Sequence, residues 1–270
     1  AMVVGDPVHE QFQLNEETVW GGSPYNNTNP KAKDALPRIR QLIFEGKNKE
    51  AQELCGPTIC SPSANGMPYQ TVGSLHLDFD GINNYNDYYR DLDIAKAIAT
   101  TRFTANGVTY TREAYTSFPD QVLVIRLTAS QKKSISFTAK YTTPYKSNVV
   151  RSISSRKELQ LSGKANDHEG IEGKVEFTAL TRIENSGGSL EATSDSTLQV
   201  KNANSVTLYV SIGTNFVNYK DVSGNALSTA QKYLKQVNKN YAKNKAAHIN
   251  AYQKYFNRVA LDLGRNAQAD

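Results

Sequence analysis

Apolar and polar residues alternate along most of this chain, in short runs that are separated by turn residues. Such alternation places every second side chain on the same face of an extended strand, so it predicts half-buried β-strands. Asn106-Gly107 lies between two of these runs and favours a tight hairpin turn, and the cluster at 185–188 indicates another turn. The predicted strands cover residues 98–104, 109–115, 122–127, 135–141, 149–153, 158–161, 174–183, 189–193, 197–200 and 205–213.

The order of these strands predicts the fold class. Short strands that follow one another without intervening helices favour large antiparallel sheets packed face to face. We therefore expect a mainly β protein, built as a large antiparallel two-sheet super-sandwich. A short helical insertion near the N-terminus and a helical region near the C-terminus complete the prediction.

Two segments have helical instead of strand spacing. Between residues 30 and 54, Leu36, Ile39, Leu42 and Ile43 recur at helical intervals, and Gly46 interrupts the run. From residue 228 to residue 256, apolar and aromatic residues again recur on common faces, and Ser228 is the expected N-cap. Residues 60–67, rich in Ser, Pro, Asn and Gly, indicate a long loop.

Composition and charge exclude several classes of function. The 270 residues have a mean hydropathy of -0.55 and no apolar run close to the ~20 residues that cross a bilayer, so no membrane segment is expected. The net charge of +5 could indicate a nucleic-acid partner. The lysines of the C-terminal region, however, are spread around several helix faces, which is typical of a solvated surface. We expect no nucleic-acid partner.

The cysteines and histidines do not indicate a metal site. Cys55 and Cys60 flank a Gly-Pro turn, and the four histidines are dispersed along the chain. Zinc sites need more thiolates or imidazoles close together. A local disulfide, which would suit an oxidising compartment, and two free thiols are both open interpretations.

Residues 12–24 have the composition of a sugar-binding segment. Asn15, Glu16 and Thr18 offer groups that hydrogen-bond hydroxyls, and Trp20, the single tryptophan, offers an indole face. Gly21 and Gly22 follow it directly and let the backbone approach a ligand or a neighbouring domain closely. The same composition would also suit a contact between domains, and the sequence leaves both readings open.

The acidic residues do not form an obvious catalytic pair. Two carboxyl groups that act together as an acid and a base must face the same ligand. Adjacent Glu16 and Glu17 would point to opposite faces of an extended strand. A second polar cluster, Asp167-His168-Glu169, could approach a substrate or form an ion-paired turn between domains.

A third cluster combines tyrosines with polar residues. Tyr85, Tyr88 and Tyr89 stand among asparagines and Asp87. This mixture suits an exposed carbohydrate-binding surface, and it equally suits an ordinary polar loop.

Several segments resemble glycoside hydrolase family 95, the α-L-fucosidases, which include some α-L-galactosidases. The resemblance follows the same order from one end of the chain to the other. The matching segments are 12–24, 69–75, 110–113 with 118–122, 166–171 with 173–174, 214–219, and 248–252 with 256–259 and 261–264.

The resemblance implies a domain organisation and a function. Residues 1–225 would form the β-sandwich domain, with the helical insertion at about 30–55. Residues 226–270 would form a helical linker and a final strand that lead to an α/α barrel outside this chain. The parent enzyme would release terminal α-linked fucose by inversion, without a cofactor, from a fucosylated glycan or oligosaccharide. Its catalytic residues would lie in the barrel and none in this chain.

The residues singled out above then acquire an expected role. They would contact the barrel or the rim of its active site, in a protein that is periplasmic or secreted. The alternative is an autonomous carbohydrate-binding module, and a weaker third possibility is the N-terminal domain of a related phosphorylase or hydrolase. The expected rim or interdomain residues are Asn15, Glu16, Thr18, Trp20, Gly21, Gly22, His168 and Glu169.

Overall fold

Two antiparallel β-sheets, packed face to face, form the body of the protein. The computed structural model describes residues 2–61, 66–145, 150–153, 158–262 and 264. In chain order the strands are β1 (Met2–Val3), β2 (His9–Leu14), β3 (Gly73–Phe79), β4 (Asn86–Asp93), β5 (Ile98–Ala105), β6 (Val108–Ser117), β7 (Val122–Ala129), β8 (Ile135–Thr142), β9 (Val150–Ile153), β10 (Glu158–Lys164), β11 (Glu176–Ser186), β12 (Ser189–Ser194), β13 (Thr197–Ala203) and β14 (Ser205–Thr214). The predicted fold class is confirmed.

The strand order shows how the chain divides between the sheets. The six-stranded sheet has the order β1-β2-β3-β8-β13-β12, and the eight-stranded sheet has the order β4-β5-β6-β7-β14-β11-β10-β9. Side chains that alternate inward from both sheets fill the space between them, among them Phe12, Leu75, Phe103, Phe137 and Leu208. This core accounts for the period-two pattern in the sequence.

Helices cover the outer face of the eight-stranded sheet. They are α3 (Ala226–Gln236) and α4 (Tyr241–Phe256). Leu234 of α3 packs with Leu180 and Tyr209, which point outward from the sheet. Strands β7 and β14 are therefore buried on both faces, which explains the uninterrupted apolar runs at 122–125 and 208–210.

The predicted helical insertion is present, and it forms a hairpin of α1 (Ala32–Phe44) and α2 (Asn48–Ile59). It encloses a small apolar cluster of its own, in which Ile39, Leu42 and Ala51 are buried. Both cysteines are free thiols in the structure, and Cys60 is the residue that ends α2.

Some local predictions need correction. The tyrosine cluster is part of an edge strand instead of a loop, because Tyr88 and Tyr89 lie in β4. Asn225 caps α3, since its side chain accepts a hydrogen bond from the Ser228 N–H; the predicted cap, Ser228, is therefore the donor. The second helical segment also breaks at 237–240, before Asn240 caps α4.

Parts of the predictions lie outside the described residues. These are residue 149 of one predicted strand, residues 62–65 of the predicted loop, and 263 and 265–270 of the predicted final strand. Residues 257–262 are described and belong to no helix or strand.

One end of the sandwich gathers the loops that carry the candidate residues. Strands β6 and β7 meet there through the pair Ser117 and Val122, and Val122 also faces Ser211 near the end of β14. We name it the Trp20 end and define it by five loops, 15–25, 66–72, 118–121, 166–174 and 215–222.

Candidate functional site

Backbone hydrogen bonds fix the loop that carries Trp20. The N–H of Gln70 donates to the carbonyl of Val19 at 2.9 Å, and the N–H of Gly21 donates to that of Pro68 at 2.9 Å. The N–H of Gly22 donates to the carbonyl of Asn166 at 2.8 Å, and the Gly22 carbonyl accepts from Lys174 at 3.0 Å. Loops 15–25, 66–72 and 166–174 therefore form one connected surface.

Glu16 organises the start of this loop. Its Oε2 accepts hydrogen bonds from the N–H of Thr18 at 2.7 Å and from the Thr18 hydroxyl at 2.6 Å. The Thr18 hydroxyl also lies 2.6 Å from that of Thr214, at the end of β14. Burial raises the pKa of Glu16, although the bonds from Thr18 oppose the shift, and the charge of Glu17 adds to it. Oε2 of Glu16 thus has a structural role, because it holds the turn at Thr18.

Trp20 presents a ring at the surface and keeps its polar atom occupied. Its Nε1–H donates to the carbonyl of Glu17 at 2.7 Å. The indole packs edge to face against Tyr69, with ring centroids 5.3 Å apart. The two residues remain 44% and 45% exposed, so a broad aromatic surface is available to a partner or ligand.

Gly21 and Gly22, which follow Trp20, lie close to side chains of the 66–72 loop and leave little room for a Cβ. Gly22 has a φ of +67°, which disfavours other residues, and a Cβ there would lie 2.6 Å from the Met67 sulfur. A cleft of about 230 Å³ opens beside this turn, with Trp20, Met67, Phe216 and Tyr219 among its walls.

Asp167, His168 and Glu169 form a tight turn on the same surface. The backbone N–H groups of His168 and Ile171 each donate to the carbonyl of the other residue at 2.9 Å. The Asp167 carboxylate accepts from the N–H of Gly173 at 2.8 Å. His168 Nε2 and Glu169 Oε1 are 3.9 Å apart, at the margin of an ion pair. No described contact joins this turn to the Glu16 carboxylate.

The structure therefore brings the sequence-predicted residues to one end of the molecule, in two adjoining places. Asn15 and Glu16 line a cleft of about 430 Å³, which we name the Glu16 cleft. Thr18, Trp20, Gly21 and Gly22 line the smaller cleft. His168 and Glu169 lie on the neighbouring loop 166–174, which contacts this surface through the two backbone bonds of Gly22 and through the bond from the Asn166 N–H to the Gln70 side chain. No structural observation tests their roles, which stay predictions.

The family of the chain follows from comparison with known proteins. Residues 1–219 match the family model described as "Glycosyl hydrolase family 65, N-terminal domain". The chain belongs to this family.

Curated relatives give the comparison more detail. The domain is 29% identical, over 97% of its length, to "Alpha-L-fucosidase 2" of Arabidopsis thaliana, and the match covers 34% of that protein. It is 26% identical, over its whole length, to "Probable alpha-fucosidase A" of Aspergillus niger and covers 35% of it. A "Probable alpha-fucosidase A" of Aspergillus oryzae is 23% identical over 97% of this chain, with 38% of that protein covered. The chain spans about a third of the length of these relatives.

These matches confirm the resemblance to the N-terminal region of α-fucosidase-type glycoside hydrolases. The name of the matching family model carries the number 65, whereas the sequence motifs resemble family 95. The curated relatives named above are α-fucosidases, in agreement with those motifs.

Sequence reasoning missed several residues of this glycosyl hydrolase domain's exposed surface. Phe118 is 69% exposed and Tyr219 is 75% exposed, and Phe216 and Val217 are also exposed. These four residues come shortly after the end of a predicted strand. An apolar residue there lies outside the alternating pattern, so the pattern does not place it in the core. That position was the available signal.

The described chain shows neither a metal-binding cluster nor a membrane-spanning helix. Within the described part of the chain, no group of three or more His, Cys, Asp or Glu residues could hold a metal ion. None of the described helices is long and apolar enough to cross a bilayer. The Trp20 end instead offers aromatic rings and hydrogen-bonding groups on rigid loops.

Proposed function

We propose that this chain is the non-catalytic N-terminal domain of an α-L-fucosidase-like inverting glycoside hydrolase. In this proposal, the Trp20 end braces the catalytic α/α barrel and lends loops to the rim of its active site. The names and lengths of the curated relatives support the parent activity. The acid and the base of the reaction lie in the barrel, and no cofactor takes part.

The distribution of exposed apolar side chains carries the proposal. The Trp20 end exposes Trp20, Tyr69, Phe118, Phe216 and Tyr219. Of the turns at the opposite end of the sandwich, 106–107, 130–134 and 187–188 carry none of the large exposed hydrophobic residues of the described chain, whereas the 4–8 and 80–85 loops carry Val4 and Tyr85. A concentration of apolar surface at one end is typical of a surface that a partner covers.

The course of helix α4 adds a second argument. The carbonyl of Lys96 lies 2.9 Å from His248 Nε2, and the Tyr252 hydroxyl donates to the carbonyl of Ile94 at 2.8 Å. The turn at 94–97 lies at the Trp20 end, because β5 begins there. Residues that follow Phe256 therefore leave the domain at the same end as the exposed aromatic surface, so a following barrel would begin at that end.

The candidate loops have a limited role in this proposal. Glu16 and Glu17 are adjacent, and Glu16 is bonded to Thr18, so the two do not form an acid and base pair across a glycosidic bond. Exposed Glu169 and half-buried His168 lie on the loop that would approach the rim.

A periplasmic or secreted location is part of the proposal, and cell fractionation tests it.

Hydroxyl-radical footprinting tests the bracing role. Trp20, Phe118 and Tyr219 should be oxidised readily in the 270-residue chain and become protected in the full-length protein that contains it. Tyr89 on β4 is the matched control, because it is an exposed aromatic away from the Trp20 end, and it should react equally in both proteins. Equal oxidation of Trp20 in the two proteins would contradict the bracing role.

The alternative function, an autonomous carbohydrate-binding module, makes a different prediction. Such a module would bind fucosylated oligosaccharides saturably through the Trp20 ring, and Trp20→Ala would abolish the binding. Isothermal titration of the 270-residue chain measures this directly.

A further inference from the structure

The Glu16 cleft lies where the two sheets open at the Trp20 end. Its volume of about 430 Å³ falls in the range of ~300–1,000 Å³ that is common for small-molecule sites. Leu14, Leu123, Val210 and Ile212 supply apolar walls. A sugar ring, which has apolar C–H faces and a polar edge, needs such a surface beside hydrogen-bonding groups.

Several polar groups at the cleft have no partner within the described chain. The side chains of Asn15, Glu17 and Tyr233 make no hydrogen bond or ion pair with any described residue. Glu16 uses Oε2 for both of its bonds to Thr18, which leaves Oε1 unused. The cleft therefore presents an amide, a phenol and carboxylate oxygens, and these are donors and acceptors for hydroxyl groups.

Phe118 is held rigidly at the edge of this cleft. The Ser117 hydroxyl donates to Asp120 at 2.7 Å, and the Gln121 side-chain amide donates to the Phe118 carbonyl at 2.7 Å. Asp120 also accepts a hydrogen bond from Asn244 of α4 at 2.9 Å. The exposed ring thus stands on a turn whose conformation is fixed before any ligand binds, which lowers the entropic cost of binding.

The charge of the cleft selects among ligands. Its lining includes Glu16 and Glu17 and no lysine or arginine, so an anionic sugar would be repelled. A divalent cation such as calcium takes ~6–8 oxygen ligands, whereas no group of three or more His, Cys, Asp or Glu residues in the described chain could hold a metal ion. A neutral, hydroxyl-rich ring is the chemistry that fits.

We propose that the Glu16 cleft binds a neutral saccharide, with Phe118 against an apolar face of the ring and with Asn15, Glu17 and Tyr233 bonded to its hydroxyls. This chain alone forms the site, so the proposal does not depend on the proposed function. Its failure would leave the fucosidase hypothesis unaffected, and the reverse also holds.

Saturation-transfer NMR and calorimetric titration of the 270-residue chain test this site. The neutral probes are L-fucose, fucosyl-lactose and D-galactose, and D-glucuronate is the anionic probe. We expect saturable binding of at least one neutral probe and weaker binding of glucuronate. No saturable binding of any neutral probe, or equal binding of glucuronate, would overturn the proposal.

Variants locate the binding to the cleft. Phe118→Ala and Asn15→Ala should each weaken binding by roughly tenfold, because each removes one contact from a small ligand. Phe118 is exposed and Asn15 half-buried, so circular dichroism should show an unchanged fold. Tyr89→Ala, at an exposed aromatic outside the cleft, should bind as the parent chain does. An affinity that Phe118→Ala leaves unchanged, or that falls in Trp20→Ala and not in Phe118→Ala, would overturn the assignment.

Discussion

Glu10 and Arg112 form an ion pair buried between the two sheets. Arg112 Nη1 lies 3.2 Å from Glu10 Oε2, and the side chains are only 4% and 1% exposed. The guanidinium stacks over the rings of Phe79 and Phe103, at 4.0 and 5.0 Å from their centroids. Glu10 belongs to β2 and Arg112 to β6, so this pair ties one sheet to the other.

Removing one partner of this pair should destabilise the fold strongly, because the other charge is left buried and uncompensated. Glu10→Gln is expected to lower the free energy of unfolding by about 3–5 kcal/mol. Urea denaturation measures the change. Glu45→Gln is the control, since Glu45 pairs with Lys47 at the exposed surface and its loss should have little effect. Equal losses for the two variants would contradict the role of the buried pair.

Helix α4 should dock less firmly in acid. Glu113 accepts hydrogen bonds from Lys245 and Tyr241 of α4, each at 2.5 Å. Partial burial raises the pKa of Glu113, but the bonds from Lys245 and Tyr241 outweigh it and lower the pKa below its ordinary 4.5. Because the pKa of Glu113 is lower in the folded state than in the unfolded state, its ionised carboxylate stabilises the fold. This stabilisation is complete above the unfolded-state pKa and is lost as the pH falls through the folded-state pKa.

The difference in unfolding free energy between the parent chain and Glu113→Gln should therefore shrink as pH falls below about 4.5.

Glu16→Gln should show the opposite dependence on pH. The pKa of Glu16 is raised in the folded state, so its ionisation destabilises the fold. The parent chain should therefore lose stability relative to this variant as the pH rises above the ordinary pKa of a glutamate. Denaturation at a series of pH values gives both curves, and slopes of the same sign would contradict the assignments.

Two glycines of the 166–174 loop should respond differently to alanine. A Cβ at Gly173 would lie 2.1 Å from the carbonyl oxygen of Ala165, so the backbone would have to move. A Cβ at Gly170 would meet nothing within 4 Å, although its φ of +81° disfavours alanine. Gly170→Ala should cost about 1–2 kcal/mol, and Gly173→Ala should cost more.

Thermal and urea unfolding compare the two variants. The Gly173 variant should also disturb the Gly22 to Asn166 hydrogen bond, since Asn166 O would lie 2.7 Å from the added Cβ. Hydrogen exchange of the Gly22 amide reports this bond. An unchanged exchange rate in the Gly173 variant would show that the two loops are not coupled.

The sequence predicted the half-buried strands well because their alternation reflects burial on one face. It missed β2, where Glu10 occupies an inward position that the pattern reserves for an apolar residue. It also missed β4, an edge strand whose residues are mostly exposed on both faces and therefore do not alternate. The failures at β2 and β4 have a physical cause in the burial of the strand, whereas the two-residue β1 and also β3, whose Leu75, Leu77 and Phe79 do alternate, were missed as well.

The candidate site could be predicted only in part. The composition of residues 12–24 indicated hydroxyl-binding groups, and these residues do line two adjoining clefts. Their partners come from distant parts of the chain, such as Thr214 against Thr18 and Phe118 beside Glu16. The pairing register of the strands determines which distant residues come into contact, and short sequence patterns carry no information about that register.

An assay of fucose release tests the central claim most directly. The 270-residue chain and the full-length protein that contains it would each be incubated with fucosyl-lactose, and proton NMR would follow the anomer of the released sugar. The account predicts no release by the chain alone and release with inverted configuration by the full-length protein. Fucose release by the chain alone, or an inactive full-length protein, would contradict it.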